Sequence, residues 1–232
     1  MKLIYLTWQG DVHQERLVIG ELIETSDKRC SFRYHFGEDL KKAKKLGFKS
    51  YSAFPDLNAI YNTNVIEAFE MRLPARERDD FQGLLERWEI KNSDISSFDL
   101  LAVTGGKLPT DRFEFVDPHN EQPPIEFITE LAGFTYYADD QYLKAMSVDQ
   151  ELRLEREMGN QYDMFAVKVY LYSKHIGYIK KVHSTVISQA IEKAFKVSVV
   201  ICRIDANGIV NAIMLRVNIS NNDFVPKTCP CE

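Results

Sequence analysis

The side chains of this chain best suited to chemistry gather in its second half. The tract Arg156-Glu157-Met158-Gly159-Asn160-Gln161-Tyr162-Asp163 brings carboxylates, amides and a phenol together, just ahead of the strand-like Ala166-Val167-Lys168-Val169. His175-Ile176-Gly177-Tyr178-Ile179-Lys180-Lys181 follows, and Ala132-Gly133-Phe134-Thr135-Tyr136-Tyr137 lies upstream. These are residue types for recognition: rings that stack, carboxylates and amides that exchange hydrogen bonds, ammonium groups that neutralise anions. They also have plain structural uses. Tyr136 and Tyr137 read as strand residues, one in the core and one out, and Asp163 as the cap of the turn before the next strand. Lys180 and Lys181 read as a solvated strand end, and His175 and His183 as surface residues.

No catalytic pattern accompanies them. There is no phosphate-cradling Gly-rich loop and no His-x-Asp catalytic loop with a downstream Asn. Gly105-Gly106-Lys107 lacks the Walker spacing and the following Ser or Thr, and reads as a helix end. No helicase motif and no Ser/His/Asp, Cys/His or metal-binding carboxylate grouping stands at a family spacing. Glu77-Arg78-Asp79-Asp80 reads as a solvated helix face. Cys229-Pro230-Cys231 has two soft ligands, but a mononuclear zinc site needs four and there is no second pair at zinc spacing. The expectation is a non-catalytic protein with no cofactor.

Composition sets the frame for these residues. The 232 residues are 45% apolar and 27% charged, as in an ordinary globular chain of one or two domains. A net charge of −5 argues against a protein that coats duplex DNA by bulk positive charge. From residue 127 to 220 basic and acidic residues are about balanced, so the acidic excess lies mainly in the first half. The apolar run at the N-terminus is too short for a signal peptide, and no run suits a membrane span. Cys30, Cys202, Cys229 and Cys231 are scattered, which predicts free thiols in a reducing cytoplasm.

The elements that must position the tract follow from pattern. Three prolines in Asp117-Pro118-His119-Asn120-Glu121-Gln122-Pro123-Pro124 predict a linker at 117–126, between a domain at 1–116 and one at 127–220, with a tail at 221–232. In the first, residues 3–8, 17–23 and 30–36 read as a small antiparallel sheet, with a turn at Ser26-Asp27-Lys28. Helices are expected at 38–45, at 64–73 with Asn64 as N-cap, at 76–88, and at 97–101. In the second, strands are expected at 128–137, 151–156, 165–172, 176–179, 196–204 and 212–219. Gly177 marks a bulge or tight approach, and Asp205-Ala206-Asn207-Gly208 a hairpin. One helix is expected at 184–195, with Val186, Ile187, Ala190, Ile191 and Ala194 inward. The fold class is α+β: a small sheet with helices, then a mostly β domain.

In order and spacing, the three pieces of the second half resemble a HIRAN domain, a small β-barrel module with one main helix. It occurs on some chromatin-remodelling helicases and as a free-standing bacterial protein. The resemblance implies that 127–220 binds the 3′ end of single-stranded DNA. Tyr136 and Tyr162 match the rings that stack on the last bases, and Asp163 the carboxylate that accepts from the 3′-hydroxyl. Asn160 matches a polar position beside it, and Lys181 a cation for the phosphates. A carboxylate there accepts from a free hydroxyl and repels a phosphate, which selects a strand end. The chain departs from the pattern at Thr135, where an Arg contacts phosphate, and at Tyr178, where DNA-binding members carry His. It departs again at Gln161 and Phe165, which replace Pro and Asn.

Residues 1–116 resemble the N-terminal subdomain of HipA toxin kinases. The carriers are Val18-Ile19-Gly20-Glu21-Leu22, Phe32-Arg33-Tyr34, the stretch Ala68-Phe69-Glu70-Met71-Arg72-Leu73-Pro74, and Phe98-Asp99-Leu100-Leu101. That resemblance implies an adaptor that meets a kinase, an antitoxin or DNA. The reading is a cytoplasmic protein of bacterial or phage type that recognises DNA ends in repair, processing or defence. Its partners are single-stranded DNA and a helicase, nuclease or kinase encoded nearby, and it has no membrane role. The alternative is a protein-interaction module regulating a separately encoded HipA-like kinase or DNA-processing enzyme.

Overall fold

The structure, a computed structural model, describes residues 1–11, 15–88, 90, 94–120 and 122–221. Cys229 and Cys231 lie outside them. The chain forms two compact units, Met1–Pro118 and His119–Glu232. Both are α+β with antiparallel sheets. Among the described residues no helix is long and apolar enough to cross a membrane.

The first unit runs β1 (Lys2–Trp8), β2 (Leu17–Glu24), β3 (Cys30–Tyr34), α1 (Glu38–Lys45), β4 (Ile60–Tyr61), α2 (Val65–Glu70), α3 (Phe81–Arg87), α4 (Ser97–Thr104) and β5 (Phe113–Val116). Its strands lie in the order β4-β3-β2-β1-β5. One face of the sheet packs Ile4, Leu6, Ile19, Leu22 and Phe32 onto Leu40, Phe54, Phe69, Phe98 and Leu101. Aromatic rings dominate this core, and several pairs meet edge to face, as their quadrupoles favour; Phe69 stands 4.8 Å from Phe115 at 85°. Tyr34 is buried, so its hydroxyl needs partners: it donates to the Phe54 carbonyl at 2.6 Å and accepts from the Tyr51 N–H at 2.7 Å. Ser96 caps α4 by accepting from the Asp99 N–H, and Gly105, at φ 73°, ends it.

Several expected elements shift here. Asn64 adjoins α2 but sits at φ 50° and makes no capping bond with its side chain. The helix expected at 76–88 starts only at Phe81, because turns around Arg78 occupy the residues before it. The cluster around Arg78 and Asp80 thus precedes the helix instead of lining it. Strands β4 and β5 have no counterpart in the sequence reading. Each is short, and β5 takes its place only by pairing with distant β1.

The second unit runs β6 (Ile125–Ala132), α5 (Phe134–Tyr137), α6 (Asp140–Ala145), β7 (Arg153–Arg156), β8 (Val167–Leu171), β9 (Lys174–Ile179), α7 (Lys181–Glu192), β10 (Lys196–Ala206) and β11 (Val210–Ser220). The strand order is β10-β11-β6-β9-β8-β7. The sheet curls into a half-barrel around Leu131, Val167, Val169, Ile176, Ile201 and Leu215. Residues 149–152, just ahead of β7, reach across the remaining gap. Leu152 N–H donates to Val199 at 2.9 Å, and Ile201 N–H to Gln150 at 3.0 Å.

Only two residue pairs join β6 to β9, Leu131↔Ile179 and Ala132↔Tyr178. Gly177 allows that close crossing. Its φ is 151°, and a Cβ there would stand 2.6 Å from the Ala132 carbonyl oxygen.

Several expectations fail in this unit. The strand expected to reach Tyr137 ends at Ala132, because Gly133 at φ 73° turns the chain into α5. Tyr136 and Tyr137 are therefore helical. The main helix starts three residues earlier than expected, so Lys181 opens a helix and does not close a strand. Its buried residues are His183, Ser184, Ile187, Ser188 and Ala190, while Ala194 is exposed at φ 55°. The apolar pattern misplaced this face because polar side chains occupy it. His183, expected at the surface, is buried and exchanges a 2.7 Å hydrogen bond with Thr129 Oγ1.

Candidate nucleic-acid interface

The residues singled out in the sequence converge on one end of the second unit. The strand β7 ends at Arg156, and Glu157 N–H still bonds the Ala166 carbonyl at 2.8 Å, so residues 158–165 form a closed loop between β7 and β8. Asn160 organises that loop. Its Oδ1 accepts from the N–H groups of Tyr162, at 2.8 Å, and Asp163, at 3.0 Å. This side-chain turn holds the backbone without secondary structure. Its Nδ2 donates to Glu157 at 2.7 Å.

Glu157 is the electrostatic centre of the loop. Its carboxylate also takes the Lys168 ammonium at 2.7 Å and the Tyr178 hydroxyl at 2.9 Å. The Lys168 hydrogen bond, with those from Asn160 and Tyr178, pulls the Glu157 carboxyl down to about 2. Burial and the bond to Glu157 push the Tyr178 phenol well above its ordinary value. Through Tyr178 the loop is tied to β9, and through β9 to α5. The Tyr178 ring lies edge-on to Tyr137 at 5.4 Å and to His175 at 4.9 Å. His175 donates from Nε2 to the Gly177 carbonyl at 2.9 Å, and burial holds its imidazole below the ordinary value.

Asp163 ties the loop to α7. One carboxylate oxygen accepts from the Phe165 N–H at 2.9 Å, the other from Ser184 Oγ at 2.6 Å. The reading of Asp163 as a turn cap thus describes one of its two oxygens. Lys181, half-buried, begins the same helix.

On this pinned framework two rings stand out into solvent. Tyr136 is 76% exposed and Tyr162 78% exposed, with Met158 and Met164 also bare. Asn160 and Tyr178 lie deeper in the loop framework. Each is half-buried and spends its polar atoms on Glu157 and the loop backbone. Glu157, Lys168 and Ser184 were not singled out as site residues. Their signal in the sequence was slight, since Glu157 meets Lys168 and Tyr178 only once β7, β8 and β9 are in register.

The sign of the Glu157 shift gives a testable pH dependence. A carboxyl lowered in the folded state contributes stability that is complete above its ordinary value near 4.5 and is lost as pH falls through about 2. The loop should therefore stay tied at pH 4. An NMR titration of the Glu157 carboxyl should show its midpoint near 2, with the Tyr178 ring resonances following it. A midpoint near 4.5 would mean that the Lys168 and Tyr178 bonds do not hold in solution.

Residues 125–221 match the sequence profile of the HIRAN domain, and the second unit carries that domain. HIRAN domains are nucleic-acid-binding modules, so the match supports a DNA-binding role for this unit. No curated protein matches the chain. Similar solved structures include the crystal structure of the HIRAN domain of human HLTF, at 19% identity and a TM-score of 0.35, over 42% of this chain and 78% of that one. Another is a crystal structure of a protein from Lactobacillus plantarum, at 22% identity and a TM-score of 0.34, over 40% of this chain and 95% of that one.

Proposed function

We propose that the second unit binds the 3′ end of single-stranded DNA, without catalysing a reaction on it. The observation that carries this reading is the pair of bare tyrosine rings on a loop and a short helix that are otherwise pinned. A ring held out in water by ordered backbone makes a stacking platform at little entropic cost, and stacking accepts any base. Tyr136 and Tyr162 take the last bases. The Asp163 carboxylate accepts the 3′-hydroxyl, and Lys181 faces a backbone phosphate. Asn160 and Tyr178 act through the loop, by setting where Tyr162 and Asp163 stand. The absence of an Arg at Thr135 fits a weaker and flatter salt dependence than a more basic site would have.

The test is fluorescence anisotropy on short single- and double-stranded oligonucleotides ending in a 3′-hydroxyl or a 3′-phosphate, at two salt concentrations. Hydroxyl-ended single strands should bind best. Asp163→Asn keeps the shape, and Asn Oδ1 can still cap Phe165, but the variant loses the charge that repels a phosphate. A hydrogen bond to a charged group is typically worth about 1.5–3 kcal/mol, so the preference for hydroxyl ends should shrink by roughly tenfold or more. An unchanged preference would remove Asp163 from the site.

The first unit is proposed as an adaptor toward a separately encoded kinase or DNA-processing enzyme. Support for this is its order of elements, in which a small sheet is followed by helices and α4 ends at Gly105.

A further inference from the structure

Away from the loop site, the half-barrel is left open along one seam. On β7 the pairs Arg153↔Tyr170 and Glu155↔Lys168 point their main-chain groups at β8, a set that the Glu157–Ala166 bond continues. Leu152 N–H points the other way, to Val199. Leu154 and Arg156 therefore turn both N–H and C=O away from β8, toward the seam. On β10 the carbonyl of Val199 and the N–H of Ile201 face the same gap, and Val197 shares their orientation. Beyond Leu152 and Val199 no hydrogen bond joins the two strands among the described residues. The strands part there around a cleft of about 570 Å³. Leu152, Leu154, Ile191, Phe195 and Val197, partly buried against the barrel core, form its apolar wall, and Glu151, Arg153 and Tyr172 line the rest.

An open edge of unpaired donors and acceptors beside a cleft with an apolar wall is the arrangement that takes an added strand. We propose that this cleft binds an extended peptide segment of a partner protein, which pairs with the free edge of β7 and lays alternate aliphatic side chains against the apolar wall. Charge selects among such segments: near Leu152, where the strands still pair, Glu151 and Arg153 line the cleft, with Arg153 paired to Glu155, and the end by Phe195 is basic. Lys193 and Lys196 flank Phe195, are exposed, and form no ion pair with a described residue. Arg156 is already neutralised by Glu192. The segment that fits therefore carries an acidic residue at the end that passes the two lysines. This surface is distinct from the loop that holds Tyr162 and Asp163, so DNA and peptide bind independently.

The probe is the hexapeptide acetyl-Thr-Val-Thr-Val-Thr-Glu-amide, titrated into the full chain and followed by anisotropy and by amide hydrogen exchange. Free protein should exchange the Leu154 amide quickly and that of Glu155 slowly, and saturating peptide should protect Leu154. Methylating peptide nitrogens one at a time should weaken binding about tenfold at alternate positions and little between them. Leu154→Pro removes an N–H that the β7–β8 ladder does not use, so it should abolish peptide binding. If that variant fails to fold, the methylated peptides carry the test alone. Swapping Lys193 and Lys196 for Glu should favour a peptide ending in Lys over one ending in Glu. Absence of saturable binding at millimolar peptide, a Leu154 amide protected in the free protein, or methylation effects without alternation each overturns the proposal.

Discussion

Arg72→Ala is expected to destabilise the first unit by about 3–5 kcal/mol, the usual cost of removing one partner from a buried ion pair. Arg72 follows α2 and is 4% exposed. Its two terminal nitrogens hold both Asp111 oxygens at 2.7 Å, and its Nε donates to the Gly106 carbonyl at 2.8 Å. The guanidinium also stands 5.8 Å from the Tyr51 ring and 5.5 Å from that of Phe113. One side chain thus joins the end of α2, the residues after α4 and the approach to β5. Alanine leaves the Gly106 carbonyl without its donor, empties the space between two rings, and strands the Asp111 carboxylate. Asp111 keeps about a quarter of its side chain in water, which places the loss toward the lower end of the range.

Arg72→Lys separates charge from shape. A lysine supplies one point charge but neither the two-pronged grip nor the Nε bond, so it should recover less than half of the loss. Urea unfolding followed by tryptophan fluorescence is the measurement. Both tryptophans, Trp8 and Trp88, lie in the first unit, so the signal reports that unit. A shift in midpoint at constant slope would give the free energy. A loss under about 1 kcal/mol would mean that water replaces the guanidinium easily.

The same residue marks what the sequence could and could not reveal. Arg72 lies inside a motif legible in the sequence, yet its role depends on Asp111 and Gly106, which are more than thirty residues away along the chain. Strands β1, β2, β10 and β11 are legible because they are long, apolar and bounded by turns, and β3, β7, β8 and β9 are legible as shorter β-rich runs. The helix α1 was read at its observed ends because charge and spacing agreed there. The elements that were missed, β4, β5, α5 and α6, have at most six residues each, too few for a period to register.

The site divides in the same way. The chemical character of Tyr136, Tyr162 and Asp163 was legible from residue type and order. The clasp formed by Glu157, Lys168 and Tyr178 was not, because it spans three strands whose register no local pattern encodes. The inward face of α7 was misread for a related reason. His183 and Ser184 are polar, and partners such as Thr129, Asp163 and the Lys181 carbonyl make their burial acceptable.

The double substitution Tyr136→Ala and Tyr162→Ala is expected to weaken single-stranded DNA binding by about thirtyfold or more. Stacking on one ring is worth about 1–3 kcal/mol, so losing two removes about 2–6 kcal/mol from the complex. Stability should hardly change. Both rings are more than three quarters exposed, and surface truncations usually cost within about 0.5 kcal/mol. The salt dependence is the sharper readout. Neither tyrosine neutralises a phosphate, so the slope of affinity against salt should stay as in the parent while the affinity drops at every salt concentration. Lys181→Ala should do the opposite, lowering the slope by about 0.7 with a smaller loss at high salt. If the tyrosine pair alters the slope, the rings act by shaping the backbone path of the strand. If the double variant binds like the parent, the exposed rings serve another partner, and the stacking role assigned to them is wrong.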